Sequence, residues 1–310
     1  MIDAVLLIAF GGPTATAEIR PFLELVTRGR RIPPERLDEV AHHYAQMPGG
    51  ASPLNALTEA QADGLRRALA AGGRPALPVF VGMRNWHPFL QETLAAMAAR
   101  GHRRALGIVL SSFRTEASWD RYLADVAAAR AQTAGAPEVV FAPPWFARDG
   151  FVAAVADGVA AALAEVPDPE RAVTPVVFSA HSVPVAMADA SPYVADFTAT
   201  ARAVAARLGL SRWSLAYQSR SGGPREPWLE PDVADVVKAL AKDGVHHVIV
   251  SPAGFVCDHV EVLYDLDVEL RWVAAEHGVT LHRAPAVNTH PSFIAMLADL
   301  VREATDPARA

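Results

Sequence analysis

Short apolar segments alternate along this chain with longer amphipathic or alanine-rich segments, and this alternation constrains the fold more than any other feature. Eight segments have the length and apolar content of buried strands: 5–10, 79–83, 105–111, 139–142, 175–180, 214–218, 247–251 and 280–283. Helical patterns follow most of them: 16–26, 88–100, 118–132, 149–165, 193–208, 231–243, 258–276 and 290–303. This alternation is typical of parallel sheets covered by helices.

A Pro-rich, charged segment, PDPERAVTP at 167–175, interrupts the alternation after the fourth strand–helix unit. Eight strands could close into a single barrel. The interruption instead favours two Rossmann-like lobes, residues 1–166 and 167–310, each with a four-stranded parallel sheet and with a cleft between them. Residues 27–61 form an excursion inside the first lobe, and long excursions in compact domains are often binding elements. We therefore predict a two-lobed α/β fold.

Charge and cysteine content argue against several classes of protein. The formal net charge of −6 disfavours a nucleic-acid partner, because phosphate binding needs a concentrated basic surface. The one cysteine, Cys257, excludes an internal disulfide and an iron–sulfur cluster ligated only by cysteines of this chain. The N-terminus is typical of a first strand rather than a signal peptide, and no transmembrane helix is predicted. We expect a cytoplasmic protein.

The segment SPAGFVCDHVEVLYDLDVEL, residues 251–270, carries acidic residues at helical spacing. Glu261, Asp265 and Glu269 are four residues apart and Asp258 precedes Glu261 by three, so one helix face would carry four carboxylates. Like charges at this spacing repel by about 0.2–0.5 kcal/mol per pair, and no Lys or Arg lies among them. The row is either a solvated helix face or part of a site that shares protons or cations, which predicts raised carboxylate pKa values.

His181 follows a predicted buried strand in SAHSVP, residues 179–184. An imidazole there either caps the following turn or acts as a metal ligand or general base near neutral pH. Because functional groups of parallel sheets collect at the carboxyl ends of the strands, we expect His181 and Glu261 to face each other. Such a pair suits transient binding of a divalent first-row metal, although two ligands fall short of a closed structural site.

Large apolar or aromatic side chains gather near the predicted strand ends: Phe10, Met83, Trp86, His87, Phe89, Phe113, Trp119, Trp228 and Phe255. They form either plain core or the walls of a pocket for a planar aromatic ligand. In the excursion, Thr27, Arg28, Arg30 and Arg31 either pair with ligand carboxylates or form a solvated basic patch.

Seven motifs, in order, resemble those of ferrochelatase: FGGP, VTRGR, GGASPLNALTEAQ, VGMRNWHPF, FSAHSVP, YQSRSGGPREPWLEPDV and GFVCDHVEVLYDLDVE. The resemblance extends from about residue 4 to residue 297, and SAHSVP together with DHVEVLYDLD is its most specific part. It implies a two-lobed, class II chelatase-like fold. It also implies an enzyme that inserts ferrous iron, as substrate, into a porphyrin during heme biosynthesis, with no permanently bound cofactor.

The resemblance assigns roles residue by residue. It implies that His181 and Glu261 are the catalytic pair that receives iron, and that Asp258, Asp265 and Glu269 relay protons or metal. Porphyrin-contacting positions are expected at Phe10, Thr27, Tyr44, Ser52, Glu116 and Trp228.

The chain departs from the family pattern at several of these positions. Phe10 stands where some bacterial relatives have a metal-contacting Tyr, Thr27 where some have Arg, and Glu116 where actinobacterial relatives tend to have Tyr. Trp119 occupies the approximate place of a cysteine that often ligates an iron–sulfur cluster in actinobacterial relatives, so no cluster is expected. The FGGP and PWLEPD motifs are nearest to those relatives, which act on coproporphyrin III. That substrate is therefore predicted over protoporphyrin IX.

Two other functions remain open on the sequence alone. A porphyrin or heme carrier on the same scaffold would need the pocket but not the acidic row. A cobalt or nickel chelatase for another tetrapyrrole would need both. For the enzyme we expect a monomer with a porphyrin substrate, no nucleic-acid partner, and transient contact with neighbouring heme-pathway enzymes.

Overall fold

The computed structural model describes residues 1–29, 33–47, 49–71, 77–221 and 225–306. Arg30 and Arg31 of the excursion lie outside the described residues. No helix within these ranges is both long enough and apolar enough to cross a lipid bilayer.

The described residues form strands and helices in alternation. The strands are β1 (Ala4–Ala9), β2 (Val79–Met83), β3 (Arg104–Val109), β4 (Glu138–Phe141), β5 (Val176–His181), β6 (Trp213–Gln218), β7 (His247–Ser251) and β8 (Thr280–Arg283). The α-helices are α1 (Ile19–Val26), α2 (Pro34–Ala45), α3 (Leu54–Ala70), α4 (Leu90–Ala99), α5 (Arg121–Ala131), α6 (Asp149–Ala164), α7 (Asp168–Arg171), α8 (Val185–Asp189), α9 (Tyr193–Leu208), α10 (Val233–Lys242), α11 (Val260–Tyr264), α12 (Arg271–Glu276) and α13 (Pro291–Thr305). A 3₁₀ turn covers Thr16–Glu18, and π-helical segments cover Glu116–Asp120 and Asp265–Leu270.

Within the described ranges, the strands form two parallel sheets of four strands each, in the orders β2-β1-β3-β4 and β6-β5-β7-β8. Leu6 of β1 pairs with Phe80 and Gly107, and Phe178 of β5 pairs with Leu215 and Ser251. The two sheets have the same order of strands, so the predicted α/β fold with two halves of similar design is confirmed. The single barrel is wrong.

The central strands are apolar along almost their whole length. All six residues of β1 are buried, as are the first five residues of β5. A parallel sheet is covered on both faces, so neither face of these strands offers a place for solvated side chains. The last residue of β5, His181, is the exception, and it marks the end of the sheet at which the chain carries its polar groups.

Contacts between Cα atoms divide the chain into two compact units. The first comprises Met1–Leu110, Trp119–Pro143 and Ile294–Ala310, and the second comprises Ser111–Ser118 and Pro144–Phe293. These units have other boundaries than the lobes 1–166 and 167–310 expected from the sequence, and those lobes stay a prediction. Helix α6 lies in the second unit because it packs on α9 and β7.

The predicted helix over 258–276 is not one continuous α-helix. It is divided into α11, the π-helical segment Asp265–Leu270 and α12. The excursion over 27–61 contains α2 and the beginning of α3, which the sequence pattern did not resolve. Helix α2 has no fully buried residue, but Leu37, Val40, Ala41 and Tyr44 recur at helical spacing and pack, partly buried, against Ile19, Phe22 and Leu23, so its sequence does carry a helical signal.

Candidate active site

His181 and Glu261 lie side by side in the second unit. His181 is the last residue of β5, and Glu261 is in the first turn of α11, which follows β7. Nε2 of His181 is 3.8 Å from Oε1 of Glu261, and the two side chains are 31% and 44% exposed. The structure thus brings together the two residues that the sequence singled out, and both remain accessible to a ligand.

Hydrogen bonds with the backbone fix the orientation of His181. Its Nδ1 bonds the carbonyl oxygen of Ser182. The Tyr193 hydroxyl donates to the carbonyl oxygen of His181 over 2.8 Å, and burial raises the pKa of that hydroxyl, so it stays protonated. Because a carbonyl oxygen only accepts, Nδ1 of His181 carries the ring proton. The lone pair of a neutral imidazole therefore lies on Nε2, the nitrogen beside Glu261.

Gln218, the buried last residue of β6, connects the elements that carry the pair. Its Nε2 donates to the carbonyl oxygen of Glu261 over 2.7 Å, and its Oε1 accepts from the Ser179 hydroxyl over 2.8 Å. Its carbonyl oxygen accepts from the Ser182 amide over 2.7 Å. Sequence reasoning did not single out Gln218, although it lies in the matched motif YQSRSGGPREPWLEPDV and is the polar last residue of its strand.

The π-helical segment keeps the acidic row on one face. A four-residue step in an α-helix overshoots a full turn by about 40°, because a turn holds 3.6 residues. In a π-helix the i→i+5 hydrogen bonds widen the turn, so the same step undershoots. The four-residue step from Glu261 to Asp265 runs mainly through the α-helix α11. The step from Asp265 to Glu269 lies within the π-helical segment. The two deviations oppose each other, and the three carboxylates stay aligned.

Asp265 has the most perturbed carboxylate of the row. Burial, with the negative charges of Glu261 and Glu269, raises its pKa to about 7. The hydroxyl of Ser219 donates to its Oδ2 and partly opposes this shift. Ser219 has a φ of 61°, an uncommon left-handed conformation for a residue with a side chain. The expectation of a raised carboxylate pKa is confirmed at Asp265, which can hold or release a proton near neutral pH.

Asp258 has a different environment from the rest of the row. Its Oδ1 accepts from Arg283 Nη1 over 2.9 Å and from the Ala286 amide over 3.1 Å, and its Oδ2 accepts from Asn288 Nδ2 over 2.8 Å. The absence of a compensating cation, inferred from the segment alone, is therefore wrong for Asp258, because Arg283 comes from β8. A part for Asp258 in a relay stays a prediction, and its contacts are those of a residue that anchors a loop.

Glu269 and His259 complete the acidic segment. Glu269 is exposed in the π-helical segment. His259 precedes α11, and its Nδ1 accepts from the Glu261 amide over 3.2 Å. Burial lowers the pKa of His259, so this ring is neutral at physiological pH. Among the residues that the structure describes, no three His, Cys, Asp or Glu side chains are arranged to hold a metal ion.

Trp228 and Glu116 also belong to the second unit. The backbone of Trp228 forms a β-bridge with Pro184, and Pro184 lies three residues after His181. Nε1 of Trp228 donates to Glu226 Oε2 over 3.1 Å. Glu116 is exposed at the start of its π-helical segment.

Phe10 and Ser52 lie near the carboxyl end of β1 in the first unit. Phe10 follows β1 directly and is 43% exposed, and the Arg84 guanidinium carbon lies 6.0 Å from its ring centroid. A Cβ on Gly12 would be 2.9 Å from Oγ of Ser52, so a larger residue at position 12 would displace the Ser52 side chain. The Ser52 amide donates to the Pro13 carbonyl oxygen over 3.0 Å.

Tyr44 and Thr27 lie on or beside the helices of the first unit. Tyr44, in α2, packs edge-on against Phe22 with 6.0 Å between ring centroids. Thr27 follows α1, and its hydroxyl donates to the Leu23 carbonyl oxygen over 2.6 Å. The Thr27 hydroxyl is thus engaged with its own helix. Contact of either residue with a porphyrin stays a prediction.

The family is decided by a match along nearly the whole chain. The ferrochelatase family model matches residues 2–305. The chain belongs to the ferrochelatase family. The resemblance seen in the motifs is confirmed, and the protein is an enzyme of heme biosynthesis that inserts metal into a porphyrin, with Fe²⁺ as substrate.

Curated ferrochelatase relatives match at substantial identity. A coproporphyrin III ferrochelatase of Mycobacterium avium is 46% identical over 305 residues, which cover 97% of this chain and 88% of the relative. A protein of the same name from Mycobacteroides abscessus is 43% identical, and the match covers 99% of this chain and 89% of the relative. Another, from Streptomyces griseus, matches at 43% identity with 99% and 87% covered.

Solved structures of other chelatases share the fold at low sequence identity. SirB from Bacillus subtilis, solved with Fe³⁺, has a TM-score of 0.63 at 14% identity, covering 99% of this chain and 97% of SirB. CbiX, described as the terminal enzyme for biosynthesis of siroheme in denitrifying bacteria, has a TM-score of 0.55 at 14% identity, covering 98% and 100%. The predicted chelatase-like fold is confirmed.

Replacing Asp265 with Asn is expected to weaken the pH dependence of this ferrochelatase's stability. The carboxyl pKa is about 7 in the folded protein and about 3.9 in an unfolded chain. The folded state therefore binds the proton more tightly, and the stabilisation is complete below about pH 4 and lost as the pH rises through about 7. Each pKa unit corresponds to about 1.4 kcal/mol of unfolding free energy.

Urea unfolding at about pH 5 and about pH 8 measures this effect. The Asp265→Asn variant should lose less stability between the two pH values than the unmodified protein. Asp243→Asn, at an exposed residue after α10, is the matched control and should follow the unmodified protein. Equal losses in all three proteins would contradict the raised pKa.

Proposed function

We propose that this ferrochelatase inserts ferrous iron into coproporphyrin III, giving Fe-coproporphyrin. The observation that carries the choice of porphyrin is the 46% identity, over 97% of the chain, to a relative named for that substrate. Protoporphyrin IX is the alternative substrate, and its product would be protoheme. A non-catalytic porphyrin or heme carrier is the alternative of a different class.

His181 and Glu261 are the proposed catalytic pair. Two pyrrole protons must leave the macrocycle as Fe²⁺ enters, so the reaction needs a proton acceptor beside the metal path. In the neutral imidazole the lone pair of His181 lies on Nε2, because Nδ1 donates to a backbone carbonyl oxygen. Glu261, whose Oε1 is 3.8 Å away, would receive iron or a proton on the same side.

Asp265 is the proposed next group for protons that leave the pair. Its pKa of about 7 lets it accept a proton and release it again near neutral pH. Glu269, exposed and one step further along the row, would pass the proton to solvent. Asp258 is the proposed relay residue with the least structural support, because its carboxylate oxygens accept hydrogen bonds from Arg283 and Asn288.

The porphyrin contacts are proposed from the motifs that match the family. They are Phe10, Thr27, Tyr44, Ser52, Glu116 and Trp228. The exposed Phe10 ring, lying beside Arg84, supports a stacking contact with a planar ligand. Phe10 has no hydroxyl, so it offers no axial ligand to the metal.

The proposal also covers cofactors, oligomeric state, location and partners. We propose that the enzyme has no permanently bound cofactor and no iron–sulfur cluster, since Cys257 is its one cysteine and burial raises the pKa of that thiol. We also propose a cytoplasmic monomer with no nucleic-acid partner, which makes transient contact with neighbouring heme-pathway enzymes.

Anaerobic iron(II) insertion, followed by porphyrin absorbance, tests the choice of substrate. We expect kcat/KM to be larger with coproporphyrin III than with protoporphyrin IX. Equal values would remove the support for coproporphyrin, and faster insertion into protoporphyrin IX would establish the alternative. Competition of Co²⁺ or Ni²⁺ with Fe²⁺ for one porphyrin would reveal a chelatase built for another metal.

A further inference from the structure

Arg283, the last residue of β8, bonds two aspartates of the acidic segment. Its Nε donates to Oδ1 of Asp267 over 2.7 Å, and its Nη1 donates to Oδ1 of Asp258 over 2.9 Å. The side chains of Arg283, Asp267 and Asp258 are 14%, 27% and 17% exposed. Loss of the guanidinium would leave two largely desolvated carboxylates without their shared cation.

The two aspartates lie on either side of two members of the acidic row in sequence. Asp258 precedes α11, and Asp267 lies in the π-helical segment. Glu261 and Asp265 come between them. One guanidinium, that of Arg283, therefore fastens the chain both before and after the part that carries Glu261 and Asp265.

The orientation of Asp267 depends on the π-helical turn. Helical turns with i→i+5 hydrogen bonds are rare and occur mostly at functional sites. If the segment were α-helical instead, Asp267 would point in a different direction about the helix axis. The donors of a guanidinium form a rigid planar fork, so they match only a narrow range of directions of the two carboxylates. The two bonds of Arg283 therefore favour the π-helical turn over an α-helical one.

The π-helical turn also decides where the acidic row points. In an uninterrupted α-helix, the steps from Glu261 to Asp265 and from there to Glu269 would each overshoot a full turn by about 40°. Glu269 would then point about 80° away from Glu261. With the π-helical turn, the second step opposes the overshoot of the first. Any contact that holds this turn therefore keeps the row on one face.

We propose that Arg283 is a positioning residue for metal insertion. It holds the π-helical segment through Asp267 and the chain before α11 through Asp258, and so it keeps the carboxylates of the row on one face. The inference rests on the proposed function, in which this row takes up the protons that leave the porphyrin. A lysine at position 283 would keep the positive charge but not the fork, so it would not hold both aspartates in this geometry.

Amide hydrogen exchange of the Arg283→Lys variant tests whether the guanidinium holds the segment. We expect the amides of the π-helical segment to exchange about 10-fold faster or more, because a hydrogen bond between charged groups is lost there, while the amides of β5 keep their protection. Arg271→Lys is the matched control, since Nη2 of Arg271 is 3.5 Å from Oδ1 of Asp267 but the arginine is 54% exposed. Unchanged exchange in Arg283→Lys, or equal acceleration in both variants, would overturn the proposal.

Anaerobic iron(II) insertion into coproporphyrin III tests whether the alignment matters for turnover. The rate is expressed per porphyrin-binding site, counted by fluorescence quenching, so that unfolded molecules do not enter it. We expect kcat of Arg283→Lys to fall by about 10–100-fold, the usual cost of misplacing catalytic groups by about 1 Å, with KM for coproporphyrin III unchanged. A role in folding alone would leave this kcat unchanged, so an unmodified kcat would overturn the positioning role.

Asp267→Ala is a second variant that approaches the same contact from the segment. It removes the bond to the π-helical turn and leaves Arg283 bonded to Asp258. We expect kcat per site to fall as in Arg283→Lys, and an unchanged kcat would overturn the proposal even if Arg283→Lys does not fold. Glu261→Gln, assayed in parallel, separates this inference from the proposed function. Turnover lost in Glu261→Gln but kept in both other variants overturns the role of Arg283 alone, whereas turnover kept in Glu261→Gln overturns the proposed catalytic pair.

Discussion

Replacing His181 with Ala is expected to lower kcat for iron insertion by about 10²–10⁴-fold, the range that a positioned general base contributes. The expectation rests on the orientation of the ring, whose Nδ1 bonds the Ser182 carbonyl oxygen and whose Nε2 lies 3.8 Å from Glu261. The variant should still fold, because Tyr193 donates to the backbone oxygen of residue 181, which alanine retains.

Anaerobic iron(II) insertion at saturating coproporphyrin III measures the loss of kcat, and fluorescence quenching measures whether porphyrin still binds. His277→Ala is the matched control, since His277 is exposed at the end of α12 and its ring Nδ1 bonds the carbonyl oxygen of Val273 in the same helix. It should keep the unmodified rate. Unmodified kcat in His181→Ala would mean that another group accepts the pyrrole protons.

Glu261→Gln separates the chelatase from the carrier. A carrier needs the pocket but no proton or iron acceptor, so its porphyrin affinity and its function would survive this change. In the chelatase, kcat should fall while porphyrin binding persists. The amide keeps the size of the side chain, and the bond from Gln218 to residue 261 uses the backbone carbonyl oxygen. A loss of turnover would therefore report on the carboxylate itself.

The sheets were predictable because buried parallel strands are apolar runs with helices between them. Each predicted strand overlaps an observed one, and the largest disagreement is at β3, predicted to reach residue 111 and ending at Val109. Helix α2 was missed although Leu37, Val40 and Tyr44 recur at helical spacing, and these side chains are only partly buried. The π-helical segment Asp265–Leu270 was missed because a four-residue spacing of acids is compatible with either kind of helix.

The pair of His181 and Glu261 was predictable because strand order places the carboxyl ends of β5 and β7 beside each other. The residues that position His181 and Glu261 were not predictable. Gln218 and Tyr193 act through hydrogen bonds to backbone oxygens, and nothing in the identity of either residue shows which oxygen it will meet. The same limit applies to Asp258, whose cation, Arg283, is 25 residues away in sequence.

An ion pair between residues far apart in sequence joins Arg114 to Asp196. Nε of Arg114 donates to Oδ2 of Asp196 over 2.8 Å and Nη2 donates to Oδ1 over 2.9 Å, so the pair is bidentate. The Asp196 side chain is 4% exposed and that of Arg114 is 32% exposed. Asp196 lies on α9, one turn after Tyr193, and Phe113 packs against Tyr193 with 6.0 Å between ring centroids. The pair therefore ties the segment Ser111–Ser118 to the helix that supports His181.

Replacing Arg114 with Met is expected to lower the free energy of unfolding by about 3 kcal/mol, because it leaves the buried Asp196 carboxylate without its cation. This value is the lower end of the usual range for breaking a buried pair, since Arg114 is partly exposed. Urea unfolding near neutral pH measures the loss. Arg207→Met is the matched control: Arg207 also bonds an aspartate, Asp149, over 2.8 Å, but both side chains are exposed. Its loss should be about 0–1 kcal/mol.

The double variant Arg114→Met/Asp196→Leu separates the lost cation from lost packing. Removing both charges together leaves no unpaired carboxylate, so most of the stability should return if desolvation of Asp196 is the cause. If the double variant is as unstable as Arg114→Met, the arginine stabilises the segment through its contact with Phe146, whose ring centroid lies 5.5 Å from the guanidinium carbon. If Arg114→Met costs no more than Arg207→Met, the buried pair does not hold Ser111–Ser118 on α9.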